Sequence, residues 1–146
     1  MDTQEQWTSL PHKEKLRDML TRHEGLRLKP YKCTAGKLTI GVGRNIEDNG
    51  ITESEAAFML DNDILRVHEE LRMNFTWYPH ISEVRKAALI DMCFNLGISR
   101  FKKFKKMIAA IEKTDYDTAA SEMLDSKWAV QVGSRSAELS EMMRKG

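Results

Sequence analysis

Beyond Gly50 the apolar positions fall at helical spacing almost without a break, whereas before it they do not. Ala56, Leu60, Ile64, Val67 and Leu71 recur every three or four residues. They form one stripe, which predicts a helix over residues 53–73. At 1.5 Å per residue such a helix is about 30 Å long. Thr52 and Glu55 stand at the spacing of a capping box at its start. Pro79 marks the next connection, and Ser82 is placed to cap a helix over residues 83–96 that Gly97 stops. Ser99 predicts another start, and Thr114 with Asp117 a further one. Gly133-Ser134 separates Trp128 from a last helix over residues 137–144.

The first fifty residues change period. Leu16, Met19 and Leu20 predict a helix over residues 12–23, with Pro11 at its opening turn and Gly25 just past its end. Leu38, Ile40 and Val42 then alternate with Lys37, Thr39, Gly41 and Gly43, the pattern of a strand. Residues 26–32 alternate as well, and Thr34-Ala35-Gly36 supplies the turn between, so the segment reads as a small hairpin. Asp48-Asn49-Gly50 is a second turn signal. The expected fold is α+β and mainly α. A single domain over residues 1–146 is expected to comprise an N-terminal helix and β-hairpin lobe (1–52), a joining helix (53–74) and a C-terminal helical lobe (75–146). Two lobes on one long helix leave a cleft, a common place for a ligand.

Composition narrows the function. The chain has 146 residues, 41% of them hydrophobic and 31% charged, which is the balance of a globular domain. Lys and Arg number 23 against 22 Asp and Glu, a net charge of +1, so no nucleic acid is expected as partner. Two cysteines, Cys33 and Cys93, exclude a disulfide-dense framework, although one bond between them stays open. No apolar run approaches the roughly 18 residues of a membrane span. The first ten residues lack the basic and apolar regions of a signal peptide. The chain is therefore expected to be made in a cytoplasm and to stay there until something else releases it.

Three side chains stand out for chemistry. Glu24 ends the first predicted helix, Cys33 lies near the hairpin turn and Thr39 on the second strand. Helix end, turn and strand in so small a lobe must pack together, which can bring the three into one site. They offer a carboxylic acid, a soft nucleophile or weak base, and a hydroxyl able to orient water. Taken singly, each also fits an ordinary structural role: a solvated helix end, an incidental turn cysteine and a threonine chosen for strand propensity.

The residues from His23 to Cys33 and from Gly36 to Gly43 closely resemble the phage lysozyme family of T4-type endolysins, which are glycoside hydrolases. That family carries Glu, eight residues, Asp or Cys, five residues, then Thr, and Glu24, Cys33 and Thr39 match this spacing. The resemblance continues at residues 51–56, 84–89 and 94–97, at Ser126-Lys127-Trp128, and at Arg135. It implies hydrolysis of the β-1,4 bond between N-acetylmuramic acid and N-acetylglucosamine in peptidoglycan, for host cell lysis. Glu24 is then the general acid, a role that asks for a carboxyl able to hold its proton near neutral pH. Arg135 matches the family arginine that pairs with this Glu across the cleft, and Phe94 and Asn95 match positions that line the sugar site. Cys33 departs from the commoner Asp, so the two-carboxylate scheme does not transfer unchanged. Its thiol remains open as base, nucleophile or spacer, and retention and inversion both remain open.

The resemblance also implies glycan strands as substrate and a holin-type membrane pore for release from the host bacterial cytoplasm, with the chain acting as a monomer. No cofactor is expected. His23 and His68 are not spaced with acids and cysteines as metal ligands would be. Arg100, Lys102, Lys103, Lys105 and Lys106 read as the solvated face of a helix whose Phe101, Phe104 and Ile108 turn inward, or as an attraction for an anionic envelope. Rival readings are a lytic transglycosylase acting on the same bond, a non-catalytic peptidoglycan-binding protein, and a cysteine hydrolase using Cys33 with His23 or His68.

Overall fold

The computed structural model describes residues 3–146. It is mainly helical, with one small antiparallel sheet near the N-terminal side. The chain divides into two compact units, and the division falls between Ala56 and Ala57.

The first unit opens with α1 (Thr3–Ser9), which the apolar pattern did not predict. Pro11 follows it, and His12 takes a left-handed φ of 54° before α2 (Lys13–Glu24) begins. Gly25 ends α2 as expected, donating its N–H to the Thr21 carbonyl at φ 77°. The hairpin is present as β1 (Arg27–Lys32) and β2 (Leu38–Gly41). A short third strand, β3 (Arg44–Asn45), extends it to a sheet of order β1-β2-β3. Tyr31 and Asn45 flank Thr39 on either side, so Thr39 occupies the central strand and is only 2% exposed. Asp48-Asn49-Gly50 is the end of a one-turn helix, α3 (Ile46–Asn49), which the Asn45 side chain caps by accepting from the Asp48 N–H.

Thr52 and Glu55 form the predicted capping box. Thr52 N–H donates to Glu55 Oε1 at 2.8 Å, and Glu55 N–H donates to Thr52 Oγ1 at 3.2 Å. They start α4 (Glu53–Asn74). Glu55 has a second duty, because both oxygens accept from Arg44, at 2.6 and 2.5 Å. This fork-to-fork pair fastens β3 to the first turn of α4.

In the second unit Val67 and Leu71 turn the C-terminal half of α4 into the core. Tyr78 begins a 3₁₀ turn and is fully buried, with its hydroxyl 2.6 Å from His68 Nδ1. Ser82 caps α5 (Glu83–Leu96) through the Arg85 N–H, and Gly97 stops it, both as predicted. Ser99 does not open a helix: α6 (Ile98–Phe101) starts directly after Gly97, whose φ of 79° turns the chain there. It is followed by α7 (Lys105–Glu112). The cap of α8 (Tyr116–Leu124) is Asp115, which accepts from Thr118 N–H. Thr114 is unsuited to that role, because it sits at φ 57° and spends its hydroxyl on the Lys113 carbonyl. A short helix, α9 (Lys127–Val132), holds Trp128, and α10 (Ser134–Lys145) begins three residues before the predicted start. Leu71, Leu89, Met92, Phe101, Met107, Ile111, Met123 and Met143 form the core. Phe101 is buried and Phe104 and Ile108 pack against the core, while Arg100, Lys102, Lys103, Lys105 and Lys106 are exposed.

Candidate active site

The hairpin sets the chemistry of Cys33. Its N–H donates to the Lys37 carbonyl at 3.0 Å, closing a three-residue loop of Thr34, Ala35 and Gly36. Gly36 takes φ 77°, as such loops require. The thiol is free and half-buried. Backbone hydrogen bonds from Lys37 and then Ala35 hold it below its ordinary pKa, partial burial opposes them, and the Thr39 hydroxyl adds a smaller pull in the same direction. Hydrogen bonds to a thiolate favour that form, so Cys33 is the more nucleophilic of the two cysteines. Cys93, 1% exposed on α5, is pushed up to about 11 by burial.

Thr39 thus meets Cys33 from the neighbouring strand. Its hydroxyl also donates to the Lys37 carbonyl at 2.8 Å. The same single proton can instead turn to the Cys33 thiolate, and the oxygen's lone pairs stay able to accept from a water.

Glu24, the last residue of α2, is exposed, and its carboxylate lies over Gly43. A Cβ built on Gly43 would fall 2.7 Å from Glu24 Oε2 and 2.9 Å from its carboxyl carbon. Any Cβ at this position would push the Glu24 side chain off that seat. Val42 and Gly43 line a cavity of about 510 Å³ together with Glu24, Leu20 and Trp7. Gly43 is four residues along the chain from Thr39, so their Cα atoms can be at most about 14 Å apart. One strand and the turn after it therefore carry both the Thr39 hydroxyl and the seat of Glu24.

The remaining predicted residues belong to the second unit. Phe94 is 44% exposed, so it is not a core residue. Asn95 Oδ1 accepts from the indole N–H of the buried Trp128 at 2.9 Å. Arg135 donates through Nε to Asp91 Oδ1 at 2.7 Å and through a second N–H to the Asp91 carbonyl at 3.2 Å. Asp91, Phe94 and Asn95 are three and four residues apart on α5 and share one face of it. The sequence reading missed Gly43 and Asp91. Glycines at alternate positions in and after a strand, Gly41 and Gly43, were the available sign of a close approach. Nothing in the spacing pointed to Asp91.

Residues 21–145 match the model of the phage lysozyme family. The chain belongs to that family. Among similar proteins, probable T4-type lysozyme 2 of Dictyostelium discoideum is 30% identical over 160 aligned residues, covering 90% of this chain and 94% of the relative. The endolysin of Acyrthosiphon pisum secondary endosymbiont phage 1 is 31% identical over 115 residues, covering 76% of this chain and 75% of the relative. The SAR-endolysin of Escherichia phage Mu is 28% identical over 129 residues, covering 84% and 70%. For a phage lysozyme family member, the Glu24, Cys33 and Thr39 spacing falls wholly inside the matched stretch. Among the described residues no helix is long and apolar enough to cross a membrane, and no group of three His, Cys, Asp or Glu side chains converges as metal ligands would.

Proposed function

We propose that this chain is an endolysin-type muramidase that hydrolyses the β-1,4 bond between N-acetylmuramic acid and N-acetylglucosamine in peptidoglycan. The observation that carries the reading is the seat of Glu24 over Gly43, at the wall of a cavity and within one short strand-and-turn of Thr39. Glu24 protonates the departing glycosidic oxygen. Thr39 holds the attacking water, and the Cys33 thiol, poised by the Lys37 and Ala35 backbone, polarises or positions it. Phe94, Asn95 and Arg135 are the residues of the second unit assigned to the glycan, with Arg135 held by Asp91 and Asn95 by Trp128. The biological outcome is host cell lysis by a monomer that a holin-type pore releases from the cytoplasm to the wall.

The test is digestion of purified peptidoglycan by wild type and by folded Glu24→Gln, with mass spectrometry of the products. Wild type should release reducing ends. The amide cannot donate a proton, so Glu24→Gln should be slower by about 10²–10⁴-fold, the usual worth of acid catalysis. Near-normal digestion by Glu24→Gln would remove Glu24 from the role, and 1,6-anhydro ends would replace hydrolysis with transglycosylation. Expression of the chain alone should leave cells intact, and co-expression of a holin should lyse them.

A further inference from the structure

The stretch matched by the phage lysozyme model begins at residue 21, yet the chain ahead of it builds part of the cavity that holds Glu24. Trp7 on α1 and Arg17 and Leu20 on α2 line the same 510 Å³ space as Glu24, Val42 and Gly43. That volume lies within the range of small-ligand pockets, about 300–1,000 Å³. α1 has seven residues and none is buried, so core packing does not hold it in place. A helix this short is also unstable on its own. One contact that does tie it down is the Arg17 guanidinium over the Trp7 ring, 4.6 Å from its centre, within range of cation–π attraction. The outcome is a half-buried indole fixed at the cavity wall instead of in a core.

An indole at a cavity wall beside a carboxylate suits one ligand chemistry well. A pyranose ring lays its apolar C–H face on an aromatic ring and keeps its hydroxyls at the rim for polar groups. We propose that Trp7 is a substrate-contact residue supplied by the N-terminal segment, that a sugar ring of the glycan strand stacks on its indole beside Glu24, and that Arg17 is the positioning residue that holds the ring in place. This rests on the reading of Glu24 as the acid, and its test is separable from that reading because it measures binding, not turnover.

The experiment titrates a defined N-acetylglucosamine–N-acetylmuramic acid oligosaccharide into Glu24→Gln protein, with Trp7 intact or changed to Phe, Leu or Ala. Melting temperature serves as the check on folding. Trp7→Phe should bind within about threefold of the parent, whereas Trp7→Leu and Trp7→Ala should bind about five- to tenfold more weakly, as expected for loss of an aromatic contact. Arg17→Ala should weaken binding in the same direction and Arg17→Lys should restore most of it. In an unmutated indole spectrum the Trp7 N–H resonance should move on titration, while that of Trp77, stacked on Phe75 in the second unit, serves as the reference. Equal binding by Trp7 and Trp7→Leu, an unmoved Trp7 resonance, or no binding by the parent would each overturn the proposal. Normal digestion by Glu24→Gln would instead overturn the acid assignment, and the binding comparison would still decide the role of Trp7.

Discussion

The carboxylate of Glu24 rests on Gly43, at a spot where any side chain would stand 2.7 Å from Oε2. The glycine is therefore part of the acid's seat and not only a turn residue. Gly41 supplies a matched comparison: it has a similar φ, 70° against 65°, but nothing lies within 4 Å of its missing Cβ. Alanine at either position meets the same left-handed strain, about 1–2 kcal/mol. Only Gly43→Ala also displaces Glu24. Gly43→Ala should lose clearing activity by at least about tenfold relative to Gly41→Ala at equal melting temperature, since a misplaced acid loses much of its catalytic worth. Equal activities would show that Glu24 accommodates the methyl group without cost.

Cys33 should be replaceable by Asp with activity retained, because Asp is the commoner residue at the matching position of the family and has a similar reach. Cys33→Ala should lose more, since nothing then polarises the water beside Thr39. Clearing rates of the two variants against wild type check this. Equal rates for wild type and Cys33→Ala would reduce Cys33 to packing and leave Glu24 and Thr39 as the working pair.

The two thiols should differ in alkylation. At pH 7 iodoacetamide should modify Cys33 first, because its backbone partners lower its pKa, and Cys93 should resist, being buried and raised to about 11. Peptide mass mapping over time reads both sites in one sample. Faster labelling at Cys93 would contradict the burial of α5.

Glu55 should set part of the acid limit of the first unit. The Arg44 guanidinium, helped by the Thr52 N–H, holds its carboxyl down to about 2. An unfolded Glu titrates near ~4.3, so below that value the unfolded chain takes up a proton that the folded one refuses. The stabilisation is complete above about pH 4.5 and is lost as the pH falls toward 2. Glu55→Gln should be less stable at neutral pH and should show a flatter decline between pH 4.5 and 2. Thermal melts of both proteins across that range measure the difference.

The alkaline side belongs to the second unit. Burial raises Cys93 to about 11 and Tyr78 to about 12. Their unfolded values are near ~8.5 and ~10, so above pH 9 the unfolded chain loses protons that the folded one keeps, and stability falls as the pH rises. For Cys93 the full loss amounts to about 3 kcal/mol once the pH passes 11. Cys93→Ala should have a shallower decline than wild type between pH 9 and 11, and parallel curves would remove Cys93 as its source.

Much of this protein was legible in the sequence because it rests on local rules. The capping box at Thr52 and Glu55, the Ser82 cap and the stops at Gly25 and Gly97 each follow from hydrogen bonds within four residues, so spacing alone revealed them. The alternation around Thr39 likewise gave the strand, and the order Glu24, Cys33, Thr39 gave the candidate chemistry. Tertiary structure decided what depends on residues far apart in the chain. Asp91 holds Arg135 across 44 positions, and Trp128 holds Asn95 across 33. The Arg44–Glu55 fork and the seat of Glu24 on Gly43 likewise join different elements. No periodicity encodes such pairs, because they depend on how elements pack and not on where each begins. α1 shows the same limit from the other side: too short and too polar to announce itself, it is held in part by the contact between Trp7 and Arg17.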